Sequence, residues 1–167
     1  RDLALARVVD GRWQRLARPA GFDWQFDGCP SVGGALAWTS SGALHALTWT
    51  GGEAEAGLYV SRSDDHGQSF GAPVRLGQKG AHRGDLAARG KGLLASWDAF
   101  ADKKKAVFAS RSRDQGQTWS APERLSGLGA SRPRVVALEH GFRVFWLDPH
   151  SPEGVASASF AAEAPGE

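Results

Sequence analysis

The 167-residue sequence has no methionine, isoleucine or asparagine, and a single tyrosine and a single cysteine. One cysteine, Cys29, excludes an internal disulfide, so packing and hydrogen bonds must hold the fold; it is expected as a small packed hydrophobe. No apolar run approaches the ~20 residues of a bilayer-crossing helix, and no membrane span is expected. Without a methionine, Arg1 is not expected to be the native start, and no signal peptide is visible there. Charge of either sign is also scarce in excess: the formal net charge is +2. Lysines and arginines are scattered apart from Lys103-Lys104-Lys105, which reads as a solvated loop, and no basic face interleaved with aromatics calls for nucleic acid. His45, His66, His82, His140, His150 and Cys29 do not fall at zinc-site spacings, so neither a metal nor another cofactor is expected.

What is abundant is glycine, at 22 residues, and tryptophan, at seven. That composition suits many short strands joined by tight turns. Two stretches share one spelling, Ser63-Asp-Asp65-His-Gly67-Gln-Ser69-Phe70 and Ser112-Arg-Asp114-Gln-Gly116-Gln-Thr118-Trp119, and start 49 residues apart. Each follows an alternating apolar run, Leu58 to Ser63 or Val107 to Ser112, and precedes a short one, which is the pattern of a hairpin. Asp65 and Asp114 are placed to accept backbone N–H groups two residues on, and Gly67 and Gly116 tolerate positive φ. Ser69 and Thr118 bond locally, while Phe70 and Trp119 offer a large face for packing.

The repeat organises the chain. Residues 1–17 read as the last two strands of an incomplete unit, with Trp13 in the place of Phe70 and Trp119. Residues 18–77 form a first repeat containing the turn at 63–70, and residues 78–126 a second containing the turn at 112–119. Residues 127–160 are a third repeat without its outer strand, and residues 161–167 are a short acidic tail. Trp49, Trp97 and Trp146 align as the ends of the second strands. Thirteen strands in units of two, four, four and three are expected, and sheets of this kind need neighbours on both faces.

The paired turns resemble the Asp box, or BNR repeat, of sialidase-like β-propellers. The resemblance implies an all-β propeller with about three four-stranded blades, half of a ring of roughly six. An open arc leaves sheet flanks exposed, so the expected partner is either the missing half or a second copy of the chain. The family also implies a secreted or periplasmic location, and a structural role for Ser63, Asp65, Gly67, Ser69, Phe70, Ser112, Asp114, Gly116, Thr118 and Trp119.

Function is expected on the opposite face, with the inter-blade linkers and the loops after each tryptophan. That face carries Trp24, Phe26, His82, Arg83, Arg132 and Arg134 as candidate ligand-binding residues. The repeat puts Arg83 and Arg132 at equivalent positions beside the central channel, in register with Ser31. Two guanidiniums so placed hold a carboxylate bidentately, or instead pair with Asp85, Asp98 or Asp148 to secure strand ends. Sialidases of the family use an arginine triad, a tyrosine nucleophile and acidic partners. Here Arg83 stands where the tyrosine is needed, and Tyr59, the sole tyrosine, is mid-strand. The expectation is therefore a non-catalytic protein that binds a glycan or another carboxylate ligand. The competing expectation is an exo-sialidase or related glycoside hydrolase with Asp27, Asp98 or Asp148 as acid or base and its remaining residues elsewhere.

Overall fold

A computed structural model describes residues 2–29 and 32–161. Among these residues the long regular elements are all strands, grouped in four antiparallel sheets. An N-terminal hairpin pairs β1 (Ala6–Val9) with β2 (Arg12–Arg15). The first blade is β3 (Ala35–Trp38), β4 (Leu44–Thr50), β5 (Gly57–Ser63) and β6 (Val74–Leu76). The second is β7 (His82–Arg89), β8 (Gly92–Ala101), β9 (Lys104–Ser112) and β10 (Glu123–Arg124). The third is β11 (Ser131–Leu138), β12 (Gly141–Leu147) and β13 (Val155–Ala161). The tail at 162–167 lies outside the described residues.

The cores lie between blades because each sheet presents an apolar row to each neighbour. Leu47, Leu58 and Val60 of the first blade meet Leu86, Leu93, Ala95 and Trp97 of the second. Leu94, Val107 and Ala109 on the reverse of the second meet Val135, Phe142, Val144 and Trp146 of the third. Alternating side chains thus serve two interfaces from one strand, as the period of two requires.

The two related turns are built alike. Ser63 Oγ donates to Asp65 Oδ1 at 2.8 Å and accepts the Gly67 N–H at 2.7 Å; the Ser69 N–H and Oγ bond the two Asp65 oxygens at 2.9 and 2.5 Å. Ser112, Asp114, Gly116 and Thr118 repeat these four bonds at 2.8, 2.8, 2.9 and 2.5 Å. Trp119 packs against the core between the first two blades, and Phe70 is half-buried. Gly116 has φ +80°, and a Cβ there would lie 2.7 Å from His45 Cε1 of the preceding blade, so the turn is also an inter-blade contact.

Three expectations are corrected. Trp13 does not occupy the place of Phe70 and Trp119: it lies within β2 opposite Val8, exposed, and the turn is the two-residue Asp10-Gly11 with positive φ at both positions. Trp49 is not in register with Trp97. It pairs with Leu58, whose counterpart Val107 pairs with Asp98, so Trp49 takes the register of Asp98 and the opposite sheet face from Trp97. The lysine run is not a loop; Lys103 is in the turn and Lys104 and Lys105 open β9.

Candidate functional site

The second turns of the repeats and the inter-blade linkers emerge on one face, away from the Ser-Asp-Gly turns. At 112–118 the turn touches the β7–β8 connection through a bond from the Gln115 N–H to Lys91 O, whereas the His82 end of β7 pairs with Asp98 at the far end of β8. On that far face, two irregularities recur at the mouths of the innermost strands. The register shifts between His82 and Asp85 in β7, and between Ser131 and Arg134 in β11. Within each shift one arginine adopts left-handed backbone geometry, Arg83 with φ 45° and Arg132 with φ 56°. A non-glycine residue there costs about 1 kcal/mol, and bulges of this kind re-aim side chains.

The bulges send both arginines into one cavity of about 390 Å³, lined by Gly33, Gly34, Arg83, Gly84, Arg132 and Arg134. Counting back three residues from the equivalent Leu36, Leu86 and Val135 aligns Gly33 with Arg83 and Arg132. The register of Ser31 with the arginines is therefore corrected to Gly33, and Ser31 itself lies outside the described residues. Glycine at the first-blade position leaves space where the others supply guanidiniums. Gly84 is needed for another reason: a Cβ would lie 2.7 Å from Leu47 Cδ2 and 2.9 Å from Leu58 Cδ1.

Carboxylates brace this mouth from behind. Asp98 is fully buried, with Lys105 Nζ at 2.8 Å from Oδ1, and Oδ2 accepting the Arg132 N–H at 3.1 Å. Arg83 Nη1 stands 4.0 Å from the same Oδ2. Asp85 Oδ2 accepts the Val135 N–H of the third blade at 2.8 Å. Each aspartate thus ties the second blade to the third. No carboxylate lines the cavity itself among the described residues, so its field is cationic.

His82 stands beside Arg83, half-buried, its ring edge-on to Trp49 at 5.0 Å between centroids. Burial, then the charges of Lys105 and Arg83, lowers its pKa and so favours the neutral imidazole. Trp49 also donates to Ala81 O at 3.1 Å and meets Trp24 edge-on at 5.3 Å. Trp24 is buried in this aromatic stack and belongs to the packing; Phe26, 5.9 Å from it, is exposed. Neither lines the arginine cavity, which brings together only Arg83, Arg132 and Arg134 of the six candidate binding residues.

The three candidate acids are not brought together. Asp98 serves the blade junction, and Asp148 holds its own turn through the His150 N–H at 2.9 Å and the Trp146 indole at 3.4 Å. Asp27 is exposed in the 18–34 connection, and so is Cys29, which corrects its expected packed position. Among the described residues, no group of three or more His, Cys, Asp or Glu gathers as metal ligands. The sequence reading missed the glycines of the cavity and the contact of Lys105 with Asp98; Asp85 and Asp98 were among its candidates for securing strand ends, and they accept the Val135 and Arg132 backbone N–H groups.

No family model matches the chain, and no curated protein matches it in sequence. Solved structures do. A Dyadobacter fermentans protein described as of unknown function aligns over 95% of this chain and 48% of its own, with TM-score 0.69 and 19% identity. An α-L-arabinofuranosidase from Fusarium graminearum aligns over 69% of this chain and 40% of its own, with TM-score 0.54 and 15% identity. A Hadza microbial sialidase aligns over 69% and 32%, with TM-score 0.51 and 18% identity. The chain thus spans half or less of the length of these structures. At these identities the likeness establishes the fold, a partial all-β propeller.

Proposed function

We propose that the chain is the anion-binding part of an Asp-box propeller, and that Arg83 and Arg132, with Arg134 beside them, hold the carboxylate of an acidic glycan without cleaving it. The observation that carries this reading is the convergence of three arginines from two blades on one glycine-floored cavity with no lining acid among the described residues. Guanidiniums match a carboxylate in planar, paired hydrogen bonds, and a partly enclosed site strengthens them. The left-handed backbone at both arginines is a local cost that a binding role accounts for.

A non-catalytic role is favoured over hydrolysis by the occupation of the nearby acids. Asp98 and Asp85 already accept bonds that tie two blades, which commits both to the junction rather than to the cavity. Glycoside hydrolysis remains the second reading, supported by the arabinofuranosidase and sialidase names of two structural neighbours. A glycan array separates them. Wild type binds sialylated or uronate-bearing glycans and the Arg83→Ala, Arg132→Ala variant does not; release of a fluorophore from a sialoside or arabinofuranoside would instead establish the second reading.

We further propose that this arc works within a closed ring supplied by more blades of the same type. Leu36 is 52% exposed, whereas its counterpart Leu86, covered by the preceding blade, is 5% exposed. At the other flank Val155 is 45% exposed, and its counterpart Val107, covered by the next blade, is fully buried. The same positions are buried wherever a neighbouring blade is present.

A further inference from the structure

The arginine cavity carries more positive charge than a single carboxylate balances. Arg83 Nη1 stands 4.0 Å from Asp98 Oδ2, but that carboxylate already meets Lys105 Nζ at 2.8 Å and accepts the Arg132 N–H at 3.1 Å. The Arg132 guanidinium has no hydrogen-bond or ion-pair partner among the described residues, and Arg134 Nη1 reaches only the carbonyl of Pro133, its own neighbour, at 3.5 Å. Around the two bulges, four cations, Arg83, Arg132, Arg134 and Lys105, thus meet two carboxylates, Asp98 and Asp85, a surplus of two positive charges. The acidic side chains outside the described residues are Glu163 and Glu167. They follow Ala161, which pairs with Gly141 at the opposite end of β12 from Leu147 and the Ser131 mouth.

The surplus sits mainly on the third blade. Arg134, opposite Phe145, is the counterpart of Asp85, opposite Ser96, so a cation stands where the second blade carries a junction acid. Only Pro133 separates Arg134 from Arg132; its side chain is fully buried and its ring fixes the backbone between them. Two guanidiniums from one strand therefore converge with a third from the neighbouring blade on the same cavity. Like charges gathered in a partly enclosed space repel, and anions entering together relieve that repulsion.

We infer that the cavity takes two acid groups at once, carried on neighbouring units of one glycan chain. The first bridges Arg83 and Arg132, so this inference rests on the carboxylate reading above; the second is held by Arg134. The ligand class is an oligosaccharide with acid groups on successive units, as in a polyuronate, and a single acidic sugar fills half of the site. A cavity of about 390 Å³ falls in the range that receives small ligands, and Gly33 and Gly34 on its first-blade side add no side chain to narrow it.

Titration calorimetry of the full chain with galacturonic acid and with its 1,4-linked dimer tests this inference. The dimer is expected to bind about tenfold more tightly or better, the size of an added charge-assisted contact, whereas two equivalent carboxylates alone give about twofold. In Arg134→Ala the advantage is expected to shrink to that statistical factor, and Arg134→Lys, which keeps the charge, to recover part of it. Arg134 is exposed, and thermal melts equal to wild type establish that both variants are folded. Monomer binding that depends on Arg83 and Arg132, with a dimer favoured only statistically, overturns the two-acid site and leaves the carboxylate reading standing. Binding of neither sugar through those two arginines overturns both. A dimer advantage that survives Arg134→Ala, or displacement of the dimer by an equal concentration of sulfate, which marks a plain cationic patch, also overturns the two-acid site.

Discussion

Asp98 Oδ2, in the second blade, accepts the backbone N–H of Arg132, in the third, at 3.1 Å. One buried carboxylate therefore fixes the position of the neighbouring blade's arginine while its other oxygen holds Lys105 at 2.8 Å. Without it, the Arg132 N–H and the Lys105 ammonium lose their shared partner at a dry junction.

Asp98→Ala is accordingly expected to destabilise the chain by about 3 kcal/mol, the usual cost of breaking a buried charge pair from one side. Asp98→Asn keeps an acceptor for the Arg132 N–H and is expected to cost about 1 kcal/mol. Urea unfolding measures both, and equal costs for the two substitutions would contradict the bracing role.

Acid stability follows from the twin turns. Hydrogen bonds from the Ser69 side chain and backbone, then from the Ser63 hydroxyl, hold the Asp65 pKa down to about 2; Thr118 and Ser112 do the same for Asp114. A carboxyl lowered in the folded state stabilises above its unfolded value of 3.8 and ceases to do so as pH falls through about 2. Thermal melts are expected to drop across that window, and the drop to shrink in Asp65→Asn with Asp114→Asn. A double variant with an unchanged acid limb would show that the turns are not its source.

His45 behaves in the opposite sense to an ordinary surface histidine. It is buried, neither ring nitrogen has a hydrogen-bond partner among the described residues, and burial, then the Arg62 charge, lowers its pKa to about 4. The unfolded chain binds the proton first, so this residue subtracts stability as pH falls from 6.5 toward 4. The repeat places Leu94 at the same position of the second blade. His45→Leu is expected to gain about 1 kcal/mol at pH 7, the relief of an unsatisfied buried polar group, and more at pH 5. A loss at both pH values by chemical denaturation would refute this.

Gly116→Ala tests the inter-blade contact of the turn. The new Cβ meets His45 at 2.7 Å and the backbone has φ +80°, so a cost of about 2 kcal/mol or more is expected. Gly90→Ala, also at positive φ but with open space around it, is expected to cost about 1 kcal/mol from backbone strain alone. Equal melting temperatures for the two would remove the contact from the account.

The repeat made the sheets legible. Spelling and spacing located the two hairpin turns, and alternation along Leu58 to Ser63 and Val107 to Ser112 located their strands, because local side-chain bonds and a period of two are written in neighbouring residues. Faces were harder. One residue of slip put Trp49 opposite to Trp97, and an aligned tryptophan carries no mark of which way the pleat points. The arginine pair was legible from repeat position, yet the bulges that aim it were not, since nothing in the residue types of Arg83 and Arg132 marks the left-handed geometry they adopt. Lys105 shows the same limit: a run of three lysines reads as solvated until Asp98, seven residues back, is seen buried beside it.

Titration calorimetry of N-acetylneuraminic acid against its methyl ester tests the central claim most directly, because the two differ in the carboxylate alone. The account predicts that the free acid binds, that the ester binds at least tenfold more weakly, and that Arg83→Ala with Arg132→Ala abolishes the difference. Equal affinities for acid and ester, or a difference that survives loss of both arginines, would contradict it.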